Sequence, residues 1–427
     1  GFHARALEAG RQLGDLPAAE LGSVHAAMGD AWDLAGEFRK ALDAYAAARA
    51  FVSGDALAEA RLLLNVSRVE GKLGNYADAL KYAQESRARV ADVEGREATR
   101  QLARASARCA MVLQIEGRTD EALQWAERAA TEAEAAHDPE AVGDAYVVMG
   151  WAFGELGKDG ALALMRRSLE AYQQAGDRVR EAMLLSDLGV VCQWEGRWDE
   201  ALAYYEQGRS ASLKIGSHSN ASLARVNVAE ILTDRGEWAE AEAVLLETLP
   251  FWRASQFRYF LAACLSLLGR VSLRLGRLDE AVSRLEEAKR TFLEVGAENE
   301  LPPIDARIAE CRLAMGDPDG ALDIVRGLLG RASESNGVAR MVPLLERIQG
   351  HALLRQGDLW SARDALETSL AAAQEKRSLF EAALTMLSLI ELDRLEGVEP
   401  PLDMVSESRA LLATLKVRAV PPVPQPA

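Results

Sequence analysis

A glycine recurs about every 40 residues along almost the whole of this chain of 427 residues. Neighbouring members of the series are 38 to 43 residues apart, and most precede a short polar segment that ends in alanine and an apolar residue. A fixed period of this length is typical of arrays that stack one supersecondary unit many times. The ten glycines of the series are Gly36, Gly74, Gly117, Gly157, Gly196, Gly236, Gly276, Gly316, Gly357 and Gly397.

Small residues occupy two fixed positions around these glycines. Alanine stands five residues after the glycine in eight of the ten copies, and Gly, Ala or Ser stands seven residues before it in nine. Small side chains on facing helices let the two backbones approach closely. Each unit is therefore predicted to be a pair of antiparallel helices joined by a glycine turn, with about 17 residues in each helix.

Three segments resemble the tetratricopeptide repeat (TPR). They are Leu188-Gly189 with Gly196-Arg-Trp-Asp-Glu-Ala201, Leu268-Gly269 with Gly276-Arg-Leu-Asp-Glu-Ala281, and Met28-Gly29 with Gly36-Glu-Phe-Arg-Lys-Ala41. The period is longer than the usual 34 residues. In this it resembles the sensor arrays of maltose-regulator-like transcription factors, other large bacterial ATPase regulators and class III nucleotide cyclases. The resemblance implies an all-α, TPR-like helical-hairpin solenoid of about ten helix pairs, coiled into a right-handed superhelix over residues 1–416.

The two ends of the chain depart from the repeat. Phe2 to Leu13 is predicted to be the second helix of an incomplete pair. The chain opens without Met and already in a helical pattern, so we expect it to be the C-terminal part of a larger bacterial signalling protein. Residues 417–427 are rich in proline and are predicted to be a disordered tail with polyproline character.

Charge and cysteine content narrow the function. The net charge of −16, from 49 basic and 65 acidic residues, opposes direct binding to nucleic acid. No apolar segment reaches the ~18 residues that a membrane span needs. The four cysteines form no closely spaced pair, which argues against a disulfide-rich secreted protein and favours the cytoplasm.

Catalytic and metal-binding motifs are missing from the sequence. Gly154 to Asp159 has the glycines and lysine of a phosphate-binding loop, but Asp159 stands where Ser or Thr must hold magnesium, and no strand precedes it. The five histidines lie in different repeats without a metal-ligand partner at helical spacing. Cys109 and Cys192 fall at core positions and are predicted to be inert buried thiols. We therefore expect no enzyme active site, no cofactor and no metal in this chain.

The TPR resemblance implies that the first helix of each pair lines a concave surface. Asn65 and Asn227 stand at the position where an Asn of peptide-binding TPR proteins contacts the ligand backbone. Salt bridges to carboxylates of the next repeat are the alternative interpretation for each arginine of this surface. The predicted binding residues are Arg61, Asn65, Arg68, Arg104, Arg108, Trp151, Asn227, Glu230, Arg270 and Arg307.

Two functions fit this surface. The first is a non-catalytic protein-interaction scaffold that binds a peptide or a partner domain, and an acidic partner suits the arginines. The second is a small-molecule sensor arm that regulates an attached ATPase, nucleotide cyclase or transcription module. A continuous groove favours the first, and a local pocket with convergent polar groups favours the second.

Overall fold

A computed structural model describes residues 18–333 and 336–426. Within these ranges the chain forms twenty α-helices, one 3₁₀ turn at Glu298–Glu300 and no strand. The helices are α1 (Ala18–Leu34), α2 (Phe38–Arg49), α3 (Ala56–Lys72), α4 (Tyr76–Arg89), α5 (Arg96–Ile115), α6 (Thr119–Ala136), α7 (Pro139–Glu155), α8 (Ala161–Ala175), α9 (Arg178–Trp194), α10 (Trp198–Lys214), α11 (His218–Arg235), α12 (Trp238–Ala254), α13 (Arg258–Arg274), α14 (Leu278–Glu294), α15 (Leu301–Ala314), α16 (Pro318–Leu329), α17 (Asn336–Gln356), α18 (Leu359–Glu375), α19 (Leu379–Leu395) and α20 (Leu402–Leu415). The predicted helix Phe2–Leu13 lies outside the described residues.

Each glycine of the series joins an odd-numbered helix to the even-numbered helix that follows it, which gives the ten pairs that the period predicts. All ten have left-handed backbone conformations, with φ between 63° and 85°. The amide after each glycine closes the turn by donating to a carbonyl five residues back: Glu37 N lies 2.9 Å from Trp32 O, and Arg197 N lies 2.8 Å from Cys192 O. Glycine is favoured here because other residues rarely adopt a positive φ.

Small residues lie where the two helices of a pair touch, as predicted. A Cβ placed on Gly189 would lie 2.6 Å from Cδ1 of Tyr205, and one placed on Gly269 would lie 2.7 Å from Cγ of Leu285. Neither separation is compatible with a real Cβ. A large side chain on the second helix therefore fills the space that the glycine leaves, and this contact recurs along the chain.

Aspartates precede the first residue of several helices, and one of them, Asp138, does not cap its helix. The carboxylate of Asp55 accepts hydrogen bonds from Leu57 N and Ala58 N at the start of α3, as an N-cap residue does. Asp138 holds the same position before α7, but its side chain accepts no capping hydrogen bond. It is buried, and its Oδ2 lies 2.7 Å from Nε of Arg104. The capping function that suits an aspartate at this position is thus replaced by an ion pair between repeats.

The chain divides into two compact units, Gly1–Leu184 (unit 1) and Leu185–Ala427 (unit 2), with the boundary inside α9. The regular period predicted a single array and carries no sign of this division. A large hydrophobic cluster lies in unit 2, between α11 and α15, around the fully buried Trp252 and Leu265. A second cluster in that unit joins α15 to α19 and includes Leu345 and Leu366.

Residues 417–426 form no helix but lie against unit 2, in place of the disordered tail that composition predicts. Arg418 N donates to Arg235 O at 2.7 Å, and Nη1 of Arg355 donates to Gln425 O at 3.1 Å. Val423 packs on the cluster that contains Leu345. Composition alone cannot reveal the surface that the tail contacts, because the residues of that surface come from helices far away in sequence.

Candidate binding grooves

Five of the predicted binding residues meet in a single groove of unit 1. This groove, here called the basic groove, has a volume of about 580 Å³. Its walls come from α3, α5, α7 and the start of α9, which are the first helices of consecutive pairs, as the TPR resemblance implies. Its polar lining residues are Arg61, Asn65, Arg68, Lys72, Gln101, Arg104, Arg108, Glu140, Asp144 and Arg180.

Two of the predicted arginines of the basic groove are neutralised by carboxylates from neighbouring repeats. Nε of Arg68 lies 3.1 Å from Oδ2 of Asp33, and Nε of Arg104 lies 2.7 Å from the buried carboxylate of Asp138. The exposed Arg61 makes only a long contact, 4.0 Å, with Glu97. The alternative interpretation of these arginines, pairing with a neighbouring repeat, therefore describes Arg68 and Arg104 well.

Arg108 is different, because the described residues offer it no carboxylate partner. Its Nε donates to Ser67 Oγ at 3.1 Å, and its Nη2 donates to Ser67 O at 2.9 Å. Its Nη1 lies 3.7 Å from the sulfur of Met111. Burial, with a contribution from the positive charge of Arg68, lowers the pKa of Arg108 to about 10. The guanidinium is thus a half-buried cation without a direct ion-pair partner among the described residues, and the carboxylate of Asp144 in the same groove acts on it only at longer range.

Two small residues of α3 make room for this guanidinium. The Oγ of Ser67, itself fully buried, is oriented by its own donation to Ala79 O at 2.6 Å. A Cβ placed on Gly71 would overlap Nη2 of Arg108. Ser67 and Gly71 therefore hold Arg108 in one position, and preorganisation of this kind lowers the entropy cost of binding a ligand.

The carboxylate of Asp144, in the same groove, was missed by sequence reasoning. Its Oδ1 accepts a hydrogen bond from Tyr172 Oη at 2.7 Å and lies 3.4 Å from Nε of Arg180. Burial raises its pKa. The available signal was the spacing of 36 residues between Asp144 and Arg180, which is close to one repeat.

Four further predicted residues line a groove of unit 2, here called the aromatic groove, with a volume of about 360 Å³. They are Asn227, Glu230, Arg270 and Arg307, and the aromatic side chains beside them are Tyr259, Phe260 and Phe292. Arg270 pairs with the carboxylate of Asp234, and Nη1 of Arg307 lies 2.6 Å from Oε2 of Glu310. Burial raises the pKa of Glu230, and Asp234 adds to the effect.

The two asparagines at the TPR contact position differ in their surroundings. Nδ2 of Asn65 donates weakly to Asp30, at 3.4 Å. The side-chain amide of Asn227 makes no hydrogen bond to the described residues, and the residue is half-buried in the aromatic groove. Asn227 is thus the better placed of the two to contact a ligand backbone. Trp151 is half-buried in α7 and lines neither groove, so the structure does not bring it together with the other predicted residues.

Ion pairs that join successive repeats occur in both units. Beyond Arg104–Asp138, they include Arg274–Glu310 at 3.0 Å and the buried Arg347–Glu381 at 3.0 Å. The partners are 34 to 36 residues apart in sequence. Arg274 and Arg347 are not among the predicted binding residues.

The thiol of Cys109 is not activated as a nucleophile. Burial raises the pKa of Cys109 to about 12, which keeps this thiol protonated. Across residues 18–333 and 336–426, no three His, Cys, Asp or Glu side chains are arranged to hold a metal ion. Among the described helices, none has both the length and the apolar character of a membrane span.

The turns, the recurring glycine contacts and the grooves on the first helices together define a helical-repeat protein of the hairpin type. Two family models described as tetratricopeptide repeat match the chain, over residues 184–209 and 220–294. The chain therefore contains tetratricopeptide repeats. Among curated protein sequences, none matches it significantly.

Solved structures share this fold. A Rap protein complexed with competence and sporulation factor is 16% identical, with a TM-score of 0.62 over 84% of this chain and 99% of that one. A Rap conjugation gene regulator in complex with the Phr* peptide is 17% identical, with a TM-score of 0.50 over 66% and 76%. The STAND-type signal transduction ATPase with a TPR sensor from Pyrococcus horikoshii is 17% identical, with a TM-score of 0.50 over 65% and 43%. At these identities, the likeness concerns the fold alone.

Proposed function

We propose that this chain is a non-catalytic interaction scaffold that binds an acidic peptide segment of a partner protein in the basic groove. The observation that carries the proposal is the half-buried guanidinium of Arg108, held by Ser67 and without a carboxylate partner in the described part of the chain. A desolvated cation gains most from an anion that reaches it, because the surrounding protein screens the interaction weakly.

The rest of the basic groove supports a peptide rather than a single ion. Arg61 stands exposed at one edge of the groove and adds positive charge that attracts an acidic segment. Asn65 makes only a weak hydrogen bond and is free to exchange it for a ligand backbone. Arg68 and Arg104 contribute to the positive potential but are committed to their own carboxylates, so Arg108 is the residue that selects a ligand carboxylate.

The comparisons add context to this proposal. One of the structures with the same fold was solved with a peptide, and another belongs to an ATPase with a TPR sensor. By analogy, a partner protein, or a regulatory domain attached in the same larger signalling protein, supplies the acidic segment. The cytoplasm is the compartment that this proposal assumes.

Fluorescence anisotropy with a labelled hexaglutamate peptide tests the proposal. The peptide is expected to bind the full chain and to lose about ten-fold or more in affinity for Arg108→Gln, with a smaller loss for Arg108→Lys. Arg118→Gln is the matched control, because Arg118 is paired with Glu121 on a turn of the same unit and lies outside the basic groove. Equal affinity for the wild type and Arg108→Gln would show that the basic groove is not the site.

A small-molecule sensor arm is the second candidate, and the size of the basic groove favours it. A volume of about 580 Å³ lies within the range of small-ligand sites, and several polar groups converge there. Citrate added to the anisotropy experiment separates the two candidates. Displacement of hexaglutamate by micromolar citrate supports a sensor of small anions, whereas displacement only by longer acidic peptides supports the scaffold.

A further inference from the structure

The proline-rich tail of unit 2 has defined partners along its length. At its beginning, Arg235 O accepts from both Arg418 N, at 2.7 Å, and Ala419 N, at 3.4 Å. Near its end, Gln425 O accepts from Arg355, and Nε2 of Gln425 donates to Glu391 at 3.1 Å. Backbone groups at both ends of the segment are therefore satisfied by the array.

Between these points the tail borders a groove of about 430 Å³, here called the tail groove. Pro421, Pro422 and Pro424 line one side of it. The array lines the other side with Trp238, Leu273, Leu278, Leu313 and Ile348, and with the charged or polar groups of Arg274, Glu310, Arg347, His351 and Arg355. Val423 packs on the hydrophobic cluster that contains Ile348. The tail groove thus combines an aromatic ring, apolar walls and arginine donors.

Such a lining suits proline-rich segments for a physical reason. Proline has no backbone N–H, so a segment rich in proline needs partners chiefly for its carbonyl groups, and arginine supplies donors. Prolines also restrict the free chain, so little conformational entropy is lost on binding, and their rings pack on aromatic surfaces. The tail groove offers an aromatic surface and an arginine donor: Trp238 lies among its apolar residues, and Arg355 already donates to a carbonyl of the tail.

A charge at the start of the tail sets its direction. Nη1 of Arg418 lies 3.3 Å from Oε2 of Glu237, which is largely buried. Next to it, Gly236 is in the left-handed conformation, and a Cβ placed on it would lie 2.6 Å from Ala419 N. The array thus binds the basic side chain of Arg418 through Glu237. The backbone of the next residue, Ala419, lies so close to position 236 that only glycine fits there.

We propose that the array's side of the tail groove is a peptide-binding site for proline-rich segments that begin with a basic residue, and that the chain's own tail covers this site in cis. The site is separate from the basic groove of unit 1, so it stands or falls independently of the proposed function. A segment of another protein with the same chemistry must displace the tail. Because the tail is tethered, it competes at a high effective concentration, and the site is closed to weak ligands.

The test uses the full chain and a fluorescein-labelled peptide with the sequence of residues 417–427. In the opened variant, Pro421→Gly, Pro422→Gly and Pro424→Gly together weaken the tail and leave the array unchanged. The labelled peptide is expected to bind the opened variant at least ten-fold more tightly than the wild type. A labelled peptide with the same three prolines changed to glycine is expected not to bind.

Gly236→Ala, added to the opened variant, is expected to abolish binding of the labelled peptide. Gly316→Ala is its matched control: both glycines have a positive φ, 80° and 85°, but a Cβ on Gly316 meets nothing within 4 Å. Arg355→Gln gives a second disruption that leaves the backbone turns unchanged. Equal binding to wild type and opened variant, no binding to the opened variant, or binding that survives both disruptions would overturn the proposal.

Discussion

Arg108 in α5 occupies the space above Gly71 in α3, where a single added methyl group would overlap its Nη2 atom. The missing side chain of Gly71 thus leaves room for the one groove arginine that has no carboxylate partner in the described residues. A glycine of one repeat therefore helps to position a candidate recognition residue of the next.

Gly71→Ala is therefore expected to displace the guanidinium of Arg108 and to weaken hexaglutamate binding, with little change in stability because alanine favours the helix. Gly154→Ala is the matched control, since Gly154 also lies in a first helix but a Cβ there meets nothing within 4 Å. Anisotropy titrations and thermal melts of both variants measure the two effects. Unchanged affinity in Gly71→Ala would mean that the position of Arg108 does not matter for binding.

Gly189→Leu is expected to destabilise the chain by about 1–3 kcal/mol, because the new side chain must displace the ring of Tyr205. Gly154→Leu places the same side chain on a first helix facing open space and is expected to stay within about 0.5 kcal/mol of the wild type. Urea unfolding monitored by circular dichroism measures both. Similar losses in the two variants would contradict the assigned helix contact.

Arg104→Gln is expected to cost about 1–2 kcal/mol of stability, since it leaves the buried carboxylate of Asp138 with only Arg100, at 3.4 Å. The expected loss is below the ~3–5 kcal/mol typical of a fully buried pair, because the Arg104 side chain is 39% exposed. Neutralisation of Arg104 therefore tests folding rather than binding. A double variant, Arg104→Gln with Asp138→Asn, is expected to recover part of the loss in the same unfolding assay.

Asp187→Asn is expected to raise the melting temperature at pH 8 and to leave it unchanged at pH 4. Burial raises the pKa of Asp187 to about 7, above the ~3.9 of an unfolded chain, so the folded state holds this proton more tightly. The carboxylate therefore costs stability progressively as pH rises from about 4 to about 7, and asparagine avoids that cost. Melting curves at several pH values measure the effect, and a difference that does not vary with pH would refute it.

The sequence predicts the helix pairs because the features that define them are local. The glycine turns and the small residues at −7 follow from backbone conformation and from one helix–helix distance, and both recur with the period. The same arithmetic placed Arg61, Asn65, Arg68, Arg104 and Arg108 on one surface, where the structure brings them together.

The partners of those arginines cannot be predicted from the repeat period. Arg104 and Arg108 have similar sequence surroundings, yet one is bound to Asp138 and the other to Ser67. The difference depends on which side chain a neighbouring repeat presents at the same height. The position of the tail, bonded to Arg235 and Arg355, depends likewise on helices about 180 and 70 residues away.

The ion pairs between successive repeats have a consequence for how such a chain can change. Arg274 pairs with Glu310, and Arg347 pairs with Glu381, only because the next repeat carries a carboxylate at the matching position. Duplication, deletion or exchange of a repeat would leave a buried charge without its partner of opposite sign. The repeats have similar backbones, but each carries charges that match only its own neighbours. Evolution of the array is therefore expected to proceed by substitution within repeats rather than by rearrangement of their order.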